Sequence, residues 1–336
     1  MVMTDAGELI LMLLVILIAA EVFTNALEHM GERLGISEGV TGSLFAAVGT
    51  AMPESMVPLL AFFAGTGDAV VDTEIGVGAI LGAPLMLSTL SLCLMGLAVS
   101  RQRGFKGIIA PERSGLTRDL NFFLLAFGIA AAALFIPRQY AGTHVLVAIL
   151  LPSIYFIYVL LTLRVSAQLV KDGHGTEAHH DLFLSRVGMP DNWWVLFAQL
   201  ALGLGLLIGG AKGFIHGVES TAHHLGVSAL LLSLLIVPIA TELPEKVNSI
   251  LWIRRRKDTL AFGNITGAMV FQGSVLPAIG LLLAPWEPRE EILYGVAVTC
   301  VAALWLRVLV WSGHLRVWHL CVNGLLYVGY VTVMVT

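Results

Sequence analysis

Apolar runs long enough to cross a membrane recur from one end of this chain to the other. A bilayer core about 30 Å thick takes roughly 20 apolar residues per helix. Ten segments meet that requirement: 7–30, 38–64, 75–99, 119–137, 141–164, 191–217, 225–252, 258–284, 289–312 and 314–336. Composition agrees, since 57% of the 336 residues are hydrophobic and only 12% charged, where a soluble domain carries about 25% charged residues. That balance excludes an ordinary soluble enzyme, and a net charge of −4 leaves no basic surplus for nucleic acid. The chain reads as an all-α polytopic membrane protein. Its first run has no basic leader and no small-residue cleavage site, so it is expected to remain a span.

Lysine and arginine set the expected orientation. The loops after the odd-numbered spans, with their flanks, hold 15 of the 19 basic residues, among them Arg101, Arg103, Lys106, Arg113, Arg118 and the run Arg254-Arg255-Arg256-Lys257. Positive loops face the cytoplasm, which puts both termini outside, with the plasma (inner) membrane the expected location. Residues 165–190 form the one long polar connection, a cytoplasmic linker containing His174, His179 and His180. A solvated loop is the expected reading of those histidines. Cys93, Cys300 and Cys321 lie in apolar runs without metal-ligand spacing and read as packing residues.

The chain aligns with itself. At an offset of 191, Phe23 meets Phe214, Glu28 meets Glu219, Leu34-Gly35-Ile36-Ser37 meets Leu225-Gly226-Val227-Ser228, and Thr50, Pro53 and Glu54 meet Thr241, Pro244 and Glu245. At an offset of 185, Gly78 and Gly82 meet Gly263 and Gly267. Ten spans duplicated as five plus five place the second copy upside down in the bilayer. Residues 1–164 are then one five-helix repeat and 191–336 its inverted partner. Inverted repeats mark transporters whose substrate site lies near the midplane, where the copies meet.

Two segments sit in mid-span and carry the chemistry: Gly49-Thr50-Ala51-Met52-Pro53-Glu54 and Ala240-Thr241-Glu242-Leu243-Pro244-Glu245. A carboxylate there costs several kcal/mol unless it faces a partner or a polar cavity. Proline lacks an N–H, so Pro53 frees the carbonyl of Gly49 and Pro244 that of Ala240. Each helix is expected to kink or break, leaving hard oxygen donors around a hole suited to Ca²⁺ or Na⁺. Thr50 with Glu54, and Thr241 with Glu245, stack one turn apart on a helix face. Glu242 lies about 100° around the helix, where it either lines the same cavity or pairs with Lys246 at i+4. Gly78-xxx-Gly82 and Gly263-xxx-Gly267 are expected to let helices approach closely. Asn264 and Gln272 in the eighth span are polar enough to complete a coordination shell or to bond between helices.

These residues resemble the calcium/cation antiporter superfamily, which contains the sodium/calcium exchangers. That family carries two inverted repeats, each with a Gly-Thr-Ser-Leu-Pro-Glu motif and a later Gly-Asn-x-x-Gly-Ser-Asn motif. Arg118-Asp119 before the fourth span also resembles it. The match departs at Ala51 and Glu242 in the first motif, and at Ala79, Pro84 and Met269 in the second, while Gln272 stands where the family has an acid. The resemblance implies that Glu54 and Glu245 hold Ca²⁺, and that spans 1 and 6 move against the rest.

The expected function is secondary exchange of Ca²⁺ for Na⁺ by alternating access, with no tightly bound cofactor and no catalytic residue. The metal-ligand set is Glu54, Glu245, Thr50, Thr241, Glu242, Asn264 and Gln272, with the carbonyls of Gly49 and Ala240. Proton-coupled exchange of Ca²⁺ or another divalent cation is the alternative, because burial raises a glutamate's proton affinity. A cation channel is the remote one. Inorganic cations and lipid are the expected partners. No Walker A motif appears, which disfavours a pump.

Overall fold

The computed structural model describes residues 2–33, 52–170 and 181–335. Fourteen α-helices occur among them: α1 Val2–Arg33, α2 Met52–Ala64, α3 Ala69–Met86, α4 Leu92–Arg103, α5 Arg113–Ala133, α6 Ala141–Val170, α7 Phe183–Arg186, α8 Trp193–Leu225, α9 Ala229–Thr241, α10 Leu243–Arg254, α11 Asp258–Gln272, α12 Val275–Leu283, α13 Glu290–Ser312 and α14 Val317–Val335. The only β-type pairing among the described residues is a single bridge between Ile108 and Arg316. Backbone groups in lipid must be satisfied within the chain, and helices do this segment by segment.

Seven stretches among the described residues are long and apolar enough to cross a membrane: Ala69–Arg103, Arg113–Ala133, Arg138–Thr162, Trp193–His224, Ala261–Leu283, Glu290–Ser312 and Val317–Met334. Each matches an expected span. Of the other three, 7–30 lies within α1, 38–64 is described only from Met52 onward, and 225–252 is two helices, α9 and α10, meeting at Glu242. The third span keeps its course through a π-helical turn at Leu87–Ser91. Such a turn leaves carbonyls short of donors, and Asn323 of α14 donates its amide to the carbonyl of Ser88 at 2.7 Å.

Small residues decide where helices approach closely. α1 lies along α8, where Gly203, Gly210, Gly213 and Gly217 receive Phe23, Val15 with Ile16, Met12 and Leu9. α3 lies against α9, and the Ser233 hydroxyl donates to the Ile75 carbonyl at 2.7 Å across that seam. Gly82 makes the contact possible, since a Cβ there would stand 2.4 Å from the Leu234 carbonyl oxygen and 2.8 Å from the Pro238 ring. The second glycine pair behaves differently: Gly263 meets nothing within 4 Å and Gly267 only the Tyr158 hydroxyl, at 3.6 Å. The expectation of close packing at Gly263-xxx-Gly267 therefore finds no seam among the described residues. Gly82→Ala is expected to cost about 1–3 kcal/mol by overpacking. Gly128→Ala, at an exposed position with nothing within 4 Å, should be neutral or gain up to about 1 kcal/mol. Melting of the two purified variants measures the difference.

The two basic loops meet at one end of the bundle. Arg103 grips Asp258 with two hydrogen bonds of 2.8 and 2.7 Å and donates to the Ile253 carbonyl at 2.5 Å. Backbone bonds from Val317 to Gly107 and from Trp318 to Phe105 add the start of α14 to the same layer. At the opposite end Arg289 pairs with Glu74 at 2.5 Å, and Arg138 with Glu287 at 2.8 Å. Glu74 also accepts from the Leu230 N–H at 3.2 Å, placing a carboxylate at the positive end of α9.

Candidate cation site

The helix break at Glu242 creates the site. α9 carries Pro238 inside it and α10 begins at Leu243-Pro244, so the backbone ladder is interrupted on both sides of the junction. Glu242 itself sits at φ −84°, ψ 7°, in the sparsely allowed bridge region where active-site residues are often found. The turn aims two side chains inward: Glu242 is fully buried and Glu245 is 3% exposed. α2 brings Glu54, in its first turn, to the same place, also 3% exposed.

One carboxylate oxygen from each of Glu54, Glu242 and Glu245 lies within 4.8 Å of the other two. Calcium takes oxygens at about 2.4 Å, so ligands on opposite sides of one ion stand roughly 5 Å apart. The three carboxylates thus already have the spacing of ligands to a single cation. Both oxygens of Glu54, Oε2 of Glu242 and Oε1 of Gln272 are buried with no hydrogen bond among the described residues. Three carboxylates this close in a medium of low dielectric repel strongly, and a bound cation removes that repulsion.

The other expected ligands divide. Gln272 reaches the cluster, donating its amide to Glu242 Oε1 at 2.5 Å and leaving its own carbonyl oxygen unbonded. Thr241 is buried beside the break, and its hydroxyl donates back to the Val237 carbonyl at 3.1 Å. Asn264 braces helices instead, donating to the Glu245 backbone carbonyl at 3.0 Å and to the Ser249 hydroxyl at 2.9 Å. Ala240 is the next-to-last residue of α9, where Pro244 offers its carbonyl no N–H. Gly49 and Thr50 lie outside the described residues.

Of the two alternatives for Glu242, the structure shows the carboxylate in the cluster and bonded to Gln272. Lys246 turns its ammonium to the Pro238 and Ile239 carbonyls, at 2.9 and 3.2 Å. Lys246 was not among the expected ligands, although a lysine one residue after Glu245 in an apolar span is itself a signal. Near the start of α5, Asp119 of the Arg-Asp pair accepts from Thr266 at 2.8 Å and from Tyr158 at 3.1 Å, tying α5, α6 and α11 together.

Known proteins resemble this chain in sequence and fold. The family described as sodium/calcium exchanger protein matches residues 6–164 and 195–336. A putative antiporter, CaxA, from Alkalimonas amylolytica is 27% identical over 84% of this chain and 82% of its own length. The inner membrane protein YrbG of Escherichia coli is 23% identical over 83% of this chain and 80% of its own. Among solved structures, the H⁺/Ca²⁺ exchanger CAX superposes with a TM-score of 0.72 at 16% identity, over 98% of this chain and 82% of that one. The sodium-calcium exchanger NCX_Mj gives 0.57 at 21% identity, over 99% of each. At such identities these two structures speak for the fold alone.

Proposed function

The chain belongs to the sodium/calcium exchanger protein family of membrane cation antiporters, and on that premise we propose that it exchanges Ca²⁺ for Na⁺ by alternating access, with Glu54 and Glu245 as central ligands and Glu242 beside them. The observation that carries this reading is the trio of buried carboxylates whose oxygens lie within 4.8 Å of one another at a helix break. A divalent ion compensates their charge, and monovalent cations compete for the same oxygens, so each ion must leave before the other enters. Mutual exclusion of this kind is what makes exchange obligatory. The α1–α8 pair, seated on its own stripe of glycines, is the unit proposed to slide past the site.

A second reading, with H⁺ as the counter-ion, is favoured by the make-up of the cluster. Its close oxygens come from three buried carboxylates within 4.8 Å of one another. Protons can neutralise such carboxylates as monovalent metal ions can. Uptake of ⁴⁵Ca²⁺ into proteoliposomes under separately imposed Na⁺ and pH gradients tests both readings. Uptake driven by outward Na⁺ supports the first, and uptake driven only by the pH gradient replaces it with the second. Flux with neither gradient, or a channel-like current without trans-stimulation, overturns exchange.

The ten-span architecture is proposed as two inverted repeats, 1–164 and 191–336, joined by the linker 165–190. Packing supports the duplication, because partners recur in equivalent positions. α2–α3 corresponds to α10–α11, α4–α14 to α12–α6, α5–α11 to α13–α3, and α5–α6 to α13–α14. The basic layer that joins loops 104–112 and 253–258 is proposed to face the cytoplasm, with both termini outside and the protein in the plasma (inner) membrane. In a variant lacking Cys93, Cys300 and Cys321, single cysteines at Lys106 and Arg255 should resist an impermeant maleimide added to intact cells, while one at Glu287 should react. The reverse pattern inverts the orientation.

A further inference from the structure

Buried in a lipid-embedded bundle, a lysine needs a reason to be there. Lys246 is 5% exposed and lies one residue after Glu245. Its ammonium is held by the Pro238 and Ile239 carbonyls at 2.9 and 3.2 Å. Those carbonyls belong to the last turn of α9, the negative end of a half-helix. In transporters with broken helices, such C-terminal ends and unwound carbonyls are where monovalent cations bind. Lys246 thus sets a positive charge, on a tether, in the kind of position a free cation takes.

We infer that Lys246 is a built-in monovalent cation which, from the carbonyl end of α9, offsets one of the three clustered carboxylates and limits the exchanger to two monovalent counter-ions per divalent ion. The inference deepens the proposed antiport and rests on it. The charges follow once all three carboxylates are ionised: Glu54, Glu242 and Glu245, clustered within 4.8 Å, then supply three negative charges, and the Lys246 ammonium leaves two. A site closed off from water fills toward neutrality, since net charge is costly where the dielectric is low. One divalent ion meets that condition, and so do two monovalent ones. Exchange is then electroneutral. Without the ammonium the same pocket takes three monovalent cations, and each cycle moves one extra positive charge.

The test compares wild type with Lys246→Met, which keeps the stem and removes the charge, and with Lys246→Arg, which keeps the charge. In proteoliposomes whose potential is set by K⁺ and valinomycin, wild type and Lys246→Arg should reach an equilibrium ⁴⁵Ca²⁺ ratio that ignores the K⁺ ratio. In Lys246→Met that ratio should shift tenfold for each tenfold of K⁺. A lysine that merely capped the helix end would leave this coupling ratio where it is. Should Lys246→Met fold but turn over too slowly, ⁴⁵Ca²⁺ displacement from the purified protein gives a second readout. The Hill coefficient for the competing monovalent cation should rise from near two toward three. A wild type that already responds to the K⁺ ratio, or a Lys246→Met unchanged in both readouts, overturns the inference while divalent exchange stands. Wild type without any counter-ion-driven flux overturns the antiport reading itself.

Discussion

Glu54→Gln and Glu245→Gln are each expected to lower Ca²⁺ flux at least about 100-fold, equivalent to roughly 3 kcal/mol of lost stabilisation of the bound ion. Glutamine keeps the volume and one oxygen but removes the charge that compensates Ca²⁺. The effect on folding should run the other way. Three carboxylates with oxygens inside 4.8 Å repel when no ion is bound, so neutralising one relieves strain, and the variants should melt at or above the wild-type temperature in chelator. Added Ca²⁺ should raise the melting temperature of wild type through ligand linkage and leave both variants nearly unmoved. Near-normal flux in both variants would reduce the two glutamates to helix-packing roles. Loss of folded protein would show instead that the carboxylates hold the helices together.

Arg103→Met should cost about 3–5 kcal/mol, because it leaves Asp258 buried without its counter-charge. The pair is nearly inaccessible, with side chains 7% and 10% exposed, and it joins the end of α4 to the start of α11. A drop in melting temperature on the order of 10 °C is expected. The double variant Arg103→Met/Asp258→Leu should recover most of the loss, as apolar replacement of a buried pair is often close to neutral. Its pH dependence has a definite sign. Burial alone would push the Asp258 carboxyl up, but the Arg103 guanidinium and the Ala110 N–H together hold it below the usual carboxylate range. A depressed carboxyl contributes stability above its unfolded value of about 3.9 and loses it as pH falls through the lower folded one. The gap between wild type and Arg103→Met should therefore be full near pH 8 and shrink as pH falls, first as the unpaired, buried Asp258 of the variant takes up its proton and then as the depressed wild-type carboxyl does. A gap that instead widened in acid would mean that the pair is not what stabilises the junction.

Much of the candidate site was legible before any coordinates. Glu54, Glu242 and Glu245 drew attention because charge in an apolar span is expensive, and Pro244 announced a break that falls at Glu242. Other features were not legible. Gly82 and Gly267 look alike in sequence, yet only Gly82 lies in a close helix seam among the described residues, since packing depends on which way each helix face turns. Asn264 was expected among the ligands, and spacing did not reveal that its amide nitrogen bridges the Glu245 carbonyl and Ser249. Periodicity fixes the face of a helix to within a fraction of a turn, whereas a hydrogen bond needs a few tenths of an ångström.

What the sequence by itself determined is therefore what depends on transfer from water to lipid and on local backbone chemistry. That covers the membrane-crossing runs, the family, the duplicated motif and the proline break, each a property of consecutive residues. The tertiary structure alone decided how distant groups pair. It bonded Gln272 to Glu242 across 30 positions of chain, and it brought Glu54 of α2 to the two glutamates at the α9–α10 junction. It also sent Lys246 back to the Pro238 and Ile239 carbonyls in preference to the i+4 partner that spacing offers. The physical reason is that lipid withholds water from all these groups. Each must then find its partner wherever the packed helices bring one within reach, and sequence separation does not record that distance.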